Sequence, residues 1–563
     1  MPRLKILFVV SECVPFSKTG GLADVAGALP IALAAAGHDV RIVMPAYRVA
    51  KRYLARQIEA AERKLGGSQT VAAAAVAAAE AGAPAIDPAD AALAAAAPTD
   101  AAPAAATDAA PPVAAAQGGD GATPAEIFTP HRLPAPLGVP LGNGEAWTGI
   151  WETFIDPATP GAPAPRVYLL EHDVLYDRDG VYGDAHGEFG DNLARYALLS
   201  RGALQLCHAL GFWPDVVHVH DWQSALVPLY INVLEHRSPL ARAATVLTIH
   251  NLGYQGWFNK FQLPTTGLGW DQFHRFCLEA HDSINLLKAG IYNATLVSTV
   301  SPRYAQEIQT WEGGEGLDGV LRDRGSDVIG ILNGIDDSIW NPATDPHIAA
   351  TFSAEDLSGK RLCKAALQRE MGLEERPDVP LLGLISRLAT QKGIDILAGA
   401  LDHILSLDVQ LVILGSGERW AEDLFSRISG SSDRFRVYVG MNEGLAHRIE
   451  AGADLFLMPS RYEPCGLNQL YSQRYGTLPV VRAVGGLDDT VENNVTGFKF
   501  EEMSSMALGN TVAWAVHLYR ADPAYFRTMQ LRAMKKNFGW SHAARQYEAL
   551  YRLAISRRTG RQI

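Results

Sequence analysis

The chain contains few cysteines, and they are not spaced to hold a metal. Five of its 563 residues are cysteine, and no two of them form a C-x-x-C pair. Structural zinc sites and disulfide frameworks depend on closely spaced or paired cysteines. The sequence therefore predicts no cysteine-based metal site, and it is typical of a protein of the reducing cytoplasm.

Positive net charge and long apolar runs are also lacking. The formal net charge is -12, which argues against a dedicated nucleic-acid binder, because such proteins depend on cationic contacts with phosphates. No apolar run approaches the roughly 20 residues that a membrane-spanning helix needs. The apolar run near the start covers only residues 6–10 and indicates a first strand rather than a signal peptide. Neither nucleic acid nor a membrane is an expected partner.

What is present is the composition of a globular enzyme-sized protein. The chain is 48% hydrophobic and 20% charged. It is too long for one ordinary core, so at least two domains are expected. Apolar runs typical of buried strands alternate with helical segments, which predicts an α/β architecture with parallel sheets. The predicted strands are 4–10, 40–45, 167–170, 215–220, 245–249 and 296–300 in a first half, then 328–332, 381–388, 411–414, 436–440, 453–459 and 480–482 in a second half that starts afresh.

One segment departs from this pattern. Residues 71–117 are nearly all alanine, with prolines that break helices and few large apolar side chains to bury. The composition predicts a disordered or weakly helical insertion in a surface loop, at about residues 68–125.

The turn at residues 461–469 is the strongest candidate for a functional element. It joins the buried strand at 453–459 to a helix that ends at Gly476. It carries Glu463 and the backbone N–H groups of a helix start, which attract an anion. Open α/β sheets bind ligands at such strand ends. The alternative is a lone glutamate that caps a helix.

A glycine turn follows the first strand. Lys18, Gly20 and Gly21 precede a helix predicted at residues 23–36. The two glycines let the backbone approach a ligand closely, and Lys18 supplies a charge for an anion. The spacing matches neither a Walker loop nor a dinucleotide fingerprint. A simple turn without a ligand remains the alternative.

Two cations lie on one short loop of the second half. Arg387 and Lys392 lie at the carboxyl end of the strand predicted at 381–388, and they indicate an anion between them, such as a diphosphate. The alternative is a solvated basic loop. A second glycine pair, Gly485 and Gly486, precedes another helix.

Polar and aromatic side chains suited to a sugar follow two strands of the first half. Alternation predicts that Val217 and Val219 point to one side of their strand and that His218 and His220 point to the other. A zinc site would need further ligands, so His220 is interpreted as a contact for sugar hydroxyls or as a satisfied buried histidine. The loop from His250 to Gly256 likewise follows a predicted strand and contains polar and aromatic side chains. Asp191 is predicted to cap a helix first and to contact a ligand second.

Several motifs occur in an order that resembles a known family. These motifs, at residues 18–22, 218–222, 250–256, 333–336, 386–388 with 391–393, and 461–469, are similar to those of the bacterial glycogen synthases and plant starch synthases. The resemblance covers nearly the whole chain except the alanine-rich insertion.

The resemblance implies a GT-B fold, in which two doubly wound Rossmann-like domains face each other across a deep cleft. The implied domains are residues 1–290 and 291–540, with a last helix, 541–563, that returns to the first domain. The implied activity is transfer of glucose from ADP-glucose to the non-reducing end of an α-1,4-glucan such as glycogen, with retention of configuration. No metal or other cofactor is implied, and the expected assembly is a monomer or a weak homo-oligomer.

Roles for individual residues follow from the matched motifs. Arg387 and Lys392 would stabilise the charge on the departing ADP, and Glu463 would lie beside the transferred glucose. The remaining expected contacts are Lys18, Gly20, Gly21, Cys465, Gly466 and Leu467 with the donor, and Asp24, Asp191, His220 and Asn285 with the sugar and acceptor, His220 being expected to act in catalysis as well.

Three positions depart from the family pattern. Tyr471 lies where many related transferases have a second glutamate, and tyrosine at this position is typical of the glycogen synthase branch. Gln223 lies where the family often has histidine. Met441 lies where relatives commonly have tyrosine, so softer sulfur contacts would replace stacking on a base. The alternatives are a UDP-sugar transferase and a non-catalytic glucan-binding protein, although the latter predicts loss of Glu463, Arg387 or Lys392, which are all present. A phosphorylase would need a pyridoxal lysine motif, which is not evident.

Overall fold

The protein is described by a computed structural model over residues 3–64, 129–156 and 163–561. Within these ranges the chain forms two large sheets, each covered by helices. The insertion predicted at about residues 68–125 lies outside the described residues.

The strands and helices alternate along most of the chain, as predicted. The strands are β1 Lys5–Val9, β2 Asp39–Pro45, β3 His131–Arg132, β4 Leu137–Leu141, β5 Gly144–Phe154, β6 Arg166–Glu171, β7 Gly183–Asp184, β8 Gly187–Glu188, β9 Val216–His220, β10 Ala244–Ile249, β11 Trp257–Asn259, β12 Glu279–Ala280, β13 Ser283–Asn285, β14 Leu296–Thr299, β15 Val328–Gly330, β16 Leu381–Ile385, β17 Gln410–Gly415, β18 Phe435–Val439, β19 Leu455–Met458, β20 Leu478–Arg482 and β21 Phe498–Phe500. The α-helices are α1 Gly21–Ala35, α2 Arg48–Lys64, α3 Asp173–Tyr176, α4 Asn192–Leu210, α5 Leu226–Val233, α6 Leu286–Asn293, α7 Pro302–Glu307, α8 Asp318–Arg324, α9 Ser358–Glu370, α10 Ile394–Ser406, α11 Arg419–Ser431, α12 Glu443–Gly452, α13 Asn468–Arg474, α14 Gly485–Thr490, α15 Ser505–Ala521, α16 Pro523–Met534 and α17 Trp540–Thr559.

The first sheet has ten strands, with β1 near its centre. The order is β15-β14-β10-β9-β1-β2-β6-β5-β3, and β4 pairs with β5. The pairs from β15 to β6 are parallel, with Phe8 opposite His218 in the β1–β9 register. Val217 and Val219 pack into the core on one face, whereas His218 contacts Tyr551 on the other. The predicted alternation along β9 is confirmed.

The second sheet has six parallel strands in the order β18-β17-β16-β19-β20-β21. Strands β16 and β19 are neighbours, with Leu382 opposite Leu455. Because parallel strands all end at the same edge, the loops that follow β16 and β19 lie side by side. This register brings the cationic loop and the glutamate turn together.

The first sheet continues past the predicted domain boundary at residue 290. Strand β14 pairs with β10, and β15 pairs with β14. The second half therefore does not start afresh at Val328, and the first domain extends at least to Gly330. A buried apolar strand satisfies either sheet equally well, so the local pattern does not reveal which one it joins.

Over the described residues, the chain crosses between the domains twice, and its last helix packs on the first domain, as predicted. The two crossings lie together, with Ile335 N donating to Phe538 O at 2.8 Å. Helix α17 then packs Tyr547 and Tyr551 against the face of the sheet formed by β1 and β9. The Tyr551 hydroxyl and His218 Nδ1 are 2.8 Å apart and buried.

Across the described ranges, none of the helices combines the length and the apolar character that crossing a membrane requires.

We expect Tyr551→Phe to weaken the docking of α17. The change leaves His218 Nδ1 buried without its partner, which costs about 1–3 kcal/mol. Native-state hydrogen exchange of the α17 amides should show a decrease of this size in their opening free energy. As a control, Tyr525→Phe removes an exposed hydroxyl that donates to Asn494 O, and it should change the opening free energy by less than about 0.5 kcal/mol. Equal protection of α17 in both variants would contradict the expectation.

Candidate active site

A cleft of about 570 Å³ lies between the two domains, at the carboxyl ends of both sheets. Its wall from the first domain includes the Lys18 loop and the loop that begins at His250, and its wall from the second domain includes the Arg387 loop and the Glu463 turn. The cleft therefore collects most of the motifs that the sequence singled out.

Glu463 is held by an ion pair within the second domain. One of its oxygens, Oε2, lies 2.6 Å from Lys392 Nζ and accepts from Ser460 Oγ at 3.0 Å. The residue is 6% exposed. The following helix, α13, begins after Leu467 and has no side-chain cap, so Glu463 does not cap it. The capping alternative is wrong, and the carboxylate belongs to the cleft.

Arg387 lies beside this pair and is more available to a ligand. Its Nη2 donates to Gln391 Oε1 at 2.9 Å. Among the described residues, no carboxylate lies within ion-pair distance of Arg387, whereas Lys392 is paired. An anion in the cleft would meet an uncompensated guanidinium, whose planar fork suits phosphate oxygens.

The Lys18 loop is braced by two carboxylates of its own domain. Lys18 Nζ lies 2.7 Å from Asp24 Oδ1, which also lines the cleft. Glu12 Oε2 accepts from Thr19 N at 2.5 Å and from Thr19 Oγ1 at 2.8 Å. Burial raises the pKa of the Glu12 carboxyl, and these hydrogen bonds oppose the shift. The Thr19 N–H is therefore already used and is not free to hold a phosphate.

The glycines of this loop leave room for a ligand. A Cβ on Gly21 would meet no atom within 4 Å, and one on Gly20 would meet only Glu12 Oε1 at 3.7 Å. Neither glycine is demanded by the protein's own packing. Close approach of a ligand from the cleft would explain a glycine at both positions.

Asp221 organises the loop that presents His250. It has a φ of 52°, which is unusual for a residue other than glycine. Its Oδ1 accepts from His250 N at 2.7 Å. Burial raises the pKa of Asp221 to about 7, although the backbone hydrogen bonds to it act in the opposite direction. A strained, partly buried carboxylate of this kind is common at functional sites.

The structure does not bring three of the expected sugar contacts to the surface of the cleft. His220 is buried behind His250, with its Nδ1 3.0 Å from His250 Nε2. Burial, together with His218 and His250, lowers the pKa of His220, so its ring is neutral. Its Nε2 is buried and has no partner among the described residues. A direct contact of His220 with a sugar stays a prediction.

Asn285 and Asp191 are engaged elsewhere. Asn285 is buried at the start of α6, where its Oδ1 accepts from Lys288 N at 2.9 Å and its Nδ2 donates to Gln255 Oε1 at 2.7 Å. Asp191 precedes α4, but its side chain makes no cap. It pairs instead with Arg178, whose Nη1 lies 2.8 Å from Oδ1. The predicted capping by Asp191 is wrong because this arginine competes for the carboxylate.

The remaining predicted donor contacts form the floor beneath Glu463. Cys465, Gly466 and Leu467 all line the cleft. The Cys465 thiol is buried, and burial raises its pKa to about 12, so it is not a nucleophile. Gly466 has a φ of 72°, and a Cβ there would lie 2.5 Å from Gln469 Oε1.

Sequence reasoning missed several cleft residues. Glu12 directly follows the first strand, and that position at a parallel strand end was a usable signal. Asn333 lies in a motif that was recognised but received no role. Tyr182 directly precedes the β7–β8 hairpin, for which the sequence carried no signal. Met441 was expected to contact a base, but it is 95% exposed.

Groups of three or more histidine, cysteine or acidic side chains that could hold a metal are not found in the described part of the chain. Its five cysteines are free and buried.

Comparison with protein families finds two matches in consecutive parts of the chain. A family model described as the starch synthase catalytic domain matches residues 5–86 and 144–323. A second model, glycosyl transferases group 1, matches residues 371–528. The two models correspond to the two walls of the cleft.

Whole proteins and solved structures are also similar. Glycogen synthase 1 of Geobacter sulfurreducens is 45% identical, covering 100% of this chain and 98% of its own length. Glycogen synthase of Anaeromyxobacter sp. strain Fw109-5 is 45% identical over 98% of this chain and 99% of its own. The catalytic domain of starch synthase IV from Arabidopsis thaliana, solved with ADP and acarbose, has a TM-score of 0.78 at 29% identity and covers 99% of this chain and 100% of its own.

We expect Asp221 to make stability depend on pH. Its folded pKa of about 7 lies above the ordinary value of 3.8, so the folded state holds an extra proton between these values, and the contribution of Asp221 to stability falls as pH rises through this window. In Asp221→Asn the contribution is gone. In urea unfolding, the free energy of unfolding of the variant should rise by about 1–3 kcal/mol relative to that of the native chain as the pH increases from about 5 to 7.

The matched control for this measurement is Asp433→Asn, whose side chain is 95% exposed. Its stability should run parallel to that of the native chain across the same pH range. Parallel curves for Asp221→Asn as well would show that the carboxyl is ionised throughout, contrary to the expectation.

Proposed function

The chain belongs to the family of bacterial glycogen synthases and starch synthases, which have the GT-B fold, and we propose that it transfers glucose from ADP-glucose to the non-reducing end of an α-1,4-glucan with retention of configuration. The observation that carries the proposal is the Lys392–Glu463 ion pair beside Arg387, opposite the Lys18 loop across the cleft. A diphosphate and the sugar attached to it need such a set of charges.

Arg387 and Lys392 would stabilise the ADP leaving group. Negative charge grows on the diphosphate as the bond to glucose breaks, and cations already in place stabilise it without reorganisation. Two unit charges 4 Å apart attract by about 4 kcal/mol at the effective dielectric of a protein surface. The binding of an anion by Lys392 would also loosen its hold on Glu463, leaving that carboxylate available to the sugar.

Glu463 would bind the transferred glucose and stabilise positive charge at its anomeric carbon. Lys392 and Ser460 both use Oε2 of this residue, so Oε1 is left to the sugar. On the opposite wall, the buried Glu12 and the partly buried Asp221 are both already bonded to backbone N–H groups. With these acids engaged, attack by the acceptor on the same face as the leaving phosphate is the favoured route to retention.

The first domain would supply the sugar-binding side. Lys18, Gly20 and Gly21 border the open part of the cleft and would meet the donor. His250 presents a ring to the cleft, with its pKa lowered to about 3 by burial, so it would act as a neutral hydrogen-bonding group towards hydroxyls. The exposed ring of Tyr254 suits stacking on a sugar face.

The adenine preference is supported by similarity rather than by a base pocket. The starch synthase IV structure was solved with ADP and acarbose, and we carry ADP to this chain as the proposed nucleotide. Met441 is too exposed to select a base by packing. A UDP-sugar transferase is therefore the alternative donor assignment, and a non-catalytic glucan-binding protein is the alternative class.

We also propose that the two domains close around the donor. Two chain crossings join the domains, so a hinge motion would bring the Lys18 loop towards Arg387 and exclude water from the donor. We propose a monomer or weak homo-oligomer in the cytoplasm, a location supported by five free cysteines.

The donor assignment predicts incorporation of labelled glucose from ADP-glucose into glycogen, in the presence of EDTA because no metal is required. Labelled UDP-glucose should be used at least about tenfold less efficiently, a discrimination of about 1.4 kcal/mol in transition-state binding. A preference for UDP-glucose would overturn the donor assignment. Absence of incorporation from both donors would favour the non-catalytic alternative.

The charge assignment predicts that Glu463→Ala and Lys392→Ala each lower turnover at least about a hundredfold, as expected for loss of one preorganised electrostatic contact. Steady-state kinetics with ADP-glucose and glycogen would measure this. Arg419→Ala serves as the control, because its side chain is 94% exposed, and its turnover should equal that of the native chain. Near-native turnover in both cleft variants would refute the roles given to them.

A further inference from the structure

Two short helices from different domains bond to each other beside the cleft. Glu307, at the end of α7 in the first domain, accepts from Gly485 N, with its oxygens at 3.0 and 3.1 Å. In return, Asp489 of α14 in the second domain accepts from Arg303 N at 2.8 Å. Each helix thus satisfies an N–H of its first turn with a carboxylate from the other domain.

The glycine pair that begins α14 lies directly under the Glu463 turn. Gly486 N donates to Glu463 O at 3.1 Å. Gly485 has a φ of 44°, and a Cβ on it would lie 2.0 Å from Glu463 O. A Cβ on Gly486 would lie 2.1 Å from Cys465 O. The second glycine motif therefore exists because the backbone of the catalytic turn rests on it.

Two arginines lie near the Glu307 carboxylate at this contact and oppose its negative charge. Arg303 Nε lies 3.2 Å from Glu307 Oε1. Burial lowers the pKa of Arg482, and the negative charge of Glu307 opposes this shift. Nη1 of Arg482 donates to Arg461 O at 2.6 Å. The turn is consequently held at its start by Arg482 and in its middle by α14, and Glu307 is close to both supports.

We propose that Glu307 is a positioning residue for the transfer reaction, through which the first domain holds the backbone of the Glu463 turn in the second. Without its carboxylate, the first N–H of α14 loses its acceptor, and the glycine pair that carries Glu463 O is free to shift. A misplaced carboxylate weakens the contact with the transferred glucose but leaves the cations for the diphosphate unchanged. The inference rests on the role proposed above for Glu463.

The test uses Glu307→Ala and Glu307→Gln in the full chain. We expect Glu307→Ala to lower kcat about tenfold, the size of losing one hydrogen bond to a charged group. Glu307→Gln keeps one acceptor oxygen and should stay within about threefold of native kcat. The Kd for ADP, which carries no glucose, should stay within about twofold, because ADP binding depends on Arg387 and Lys392.

A double-mutant cycle separates positioning from general damage. If Glu307 acts through Glu463, the tenfold loss should disappear when Glu307→Ala is made in a Glu463→Gln background. The same loss in both backgrounds, or a native kcat in Glu307→Ala, would overturn the inference. A Kd for ADP that weakens in parallel with kcat would also overturn it, because it would indicate damage to the whole cleft.

Glu312→Gln is the matched control, since this exposed glutamate lies on the segment that follows α7. It should leave kcat unchanged. Failure of this inference is distinguishable from failure of the proposed function: native turnover in Glu463→Gln alone would reject the role of Glu463. A large loss in Glu463→Gln with no effect of Glu307→Ala would reject only the positioning role.

Discussion

The ion pair between Lys392 and Glu463, with Nζ and Oε2 2.6 Å apart, is the interaction on which the candidate site depends. Taking two charges out of water is unfavourable unless they meet in good geometry and their remaining atoms are bonded. Parallel pairing of β16 with β19 supplies the geometry, because both loops leave the sheet at the same edge. Ser460 supplies a further bond. In the proposed reaction, the pair provides a carboxylate for a sugar beside a cation for a phosphate.

The support for this pair is not contained within one domain. The turn that carries Glu463 rests on Gly485 and Gly486, and Gly485 bonds to Glu307 of the first domain. Carboxylates also support the opposite wall of the cleft, but there they accept hydrogen bonds from backbone N–H groups. There the carboxylates of Glu12 and Asp221 hold loop backbones in place. Acidic side chains on that wall mainly shape the loops, whereas the charges expected to meet the donor come largely from the second domain.

Local pattern was sufficient for much of this arrangement, and its failures have identifiable causes. The strands were predictable because buried apolar runs ended in glycine and polar residues. The domain boundary was not predictable, because the apolar sequences of β14 and β15 suit either sheet equally well. Asp191 failed as a cap because Arg178 takes its carboxylate. His220 was placed on the correct face of β9, but only the packed structure shows that His250 stands between it and the cleft.

The sequence by itself determined the α/β class, the family, and the turns at which Lys18, Arg387, Lys392 and Glu463 would lie. These features depend on residues close together along the chain, where periodicity and glycine position act directly. Only the tertiary structure decided which carboxylates of the cleft pair with a cation and which bond to the backbone of their own wall, because that depends on partners distant in sequence. Glu463 pairs with a lysine on a neighbouring strand end, and its turn is supported from another domain. No local pattern encodes either contact.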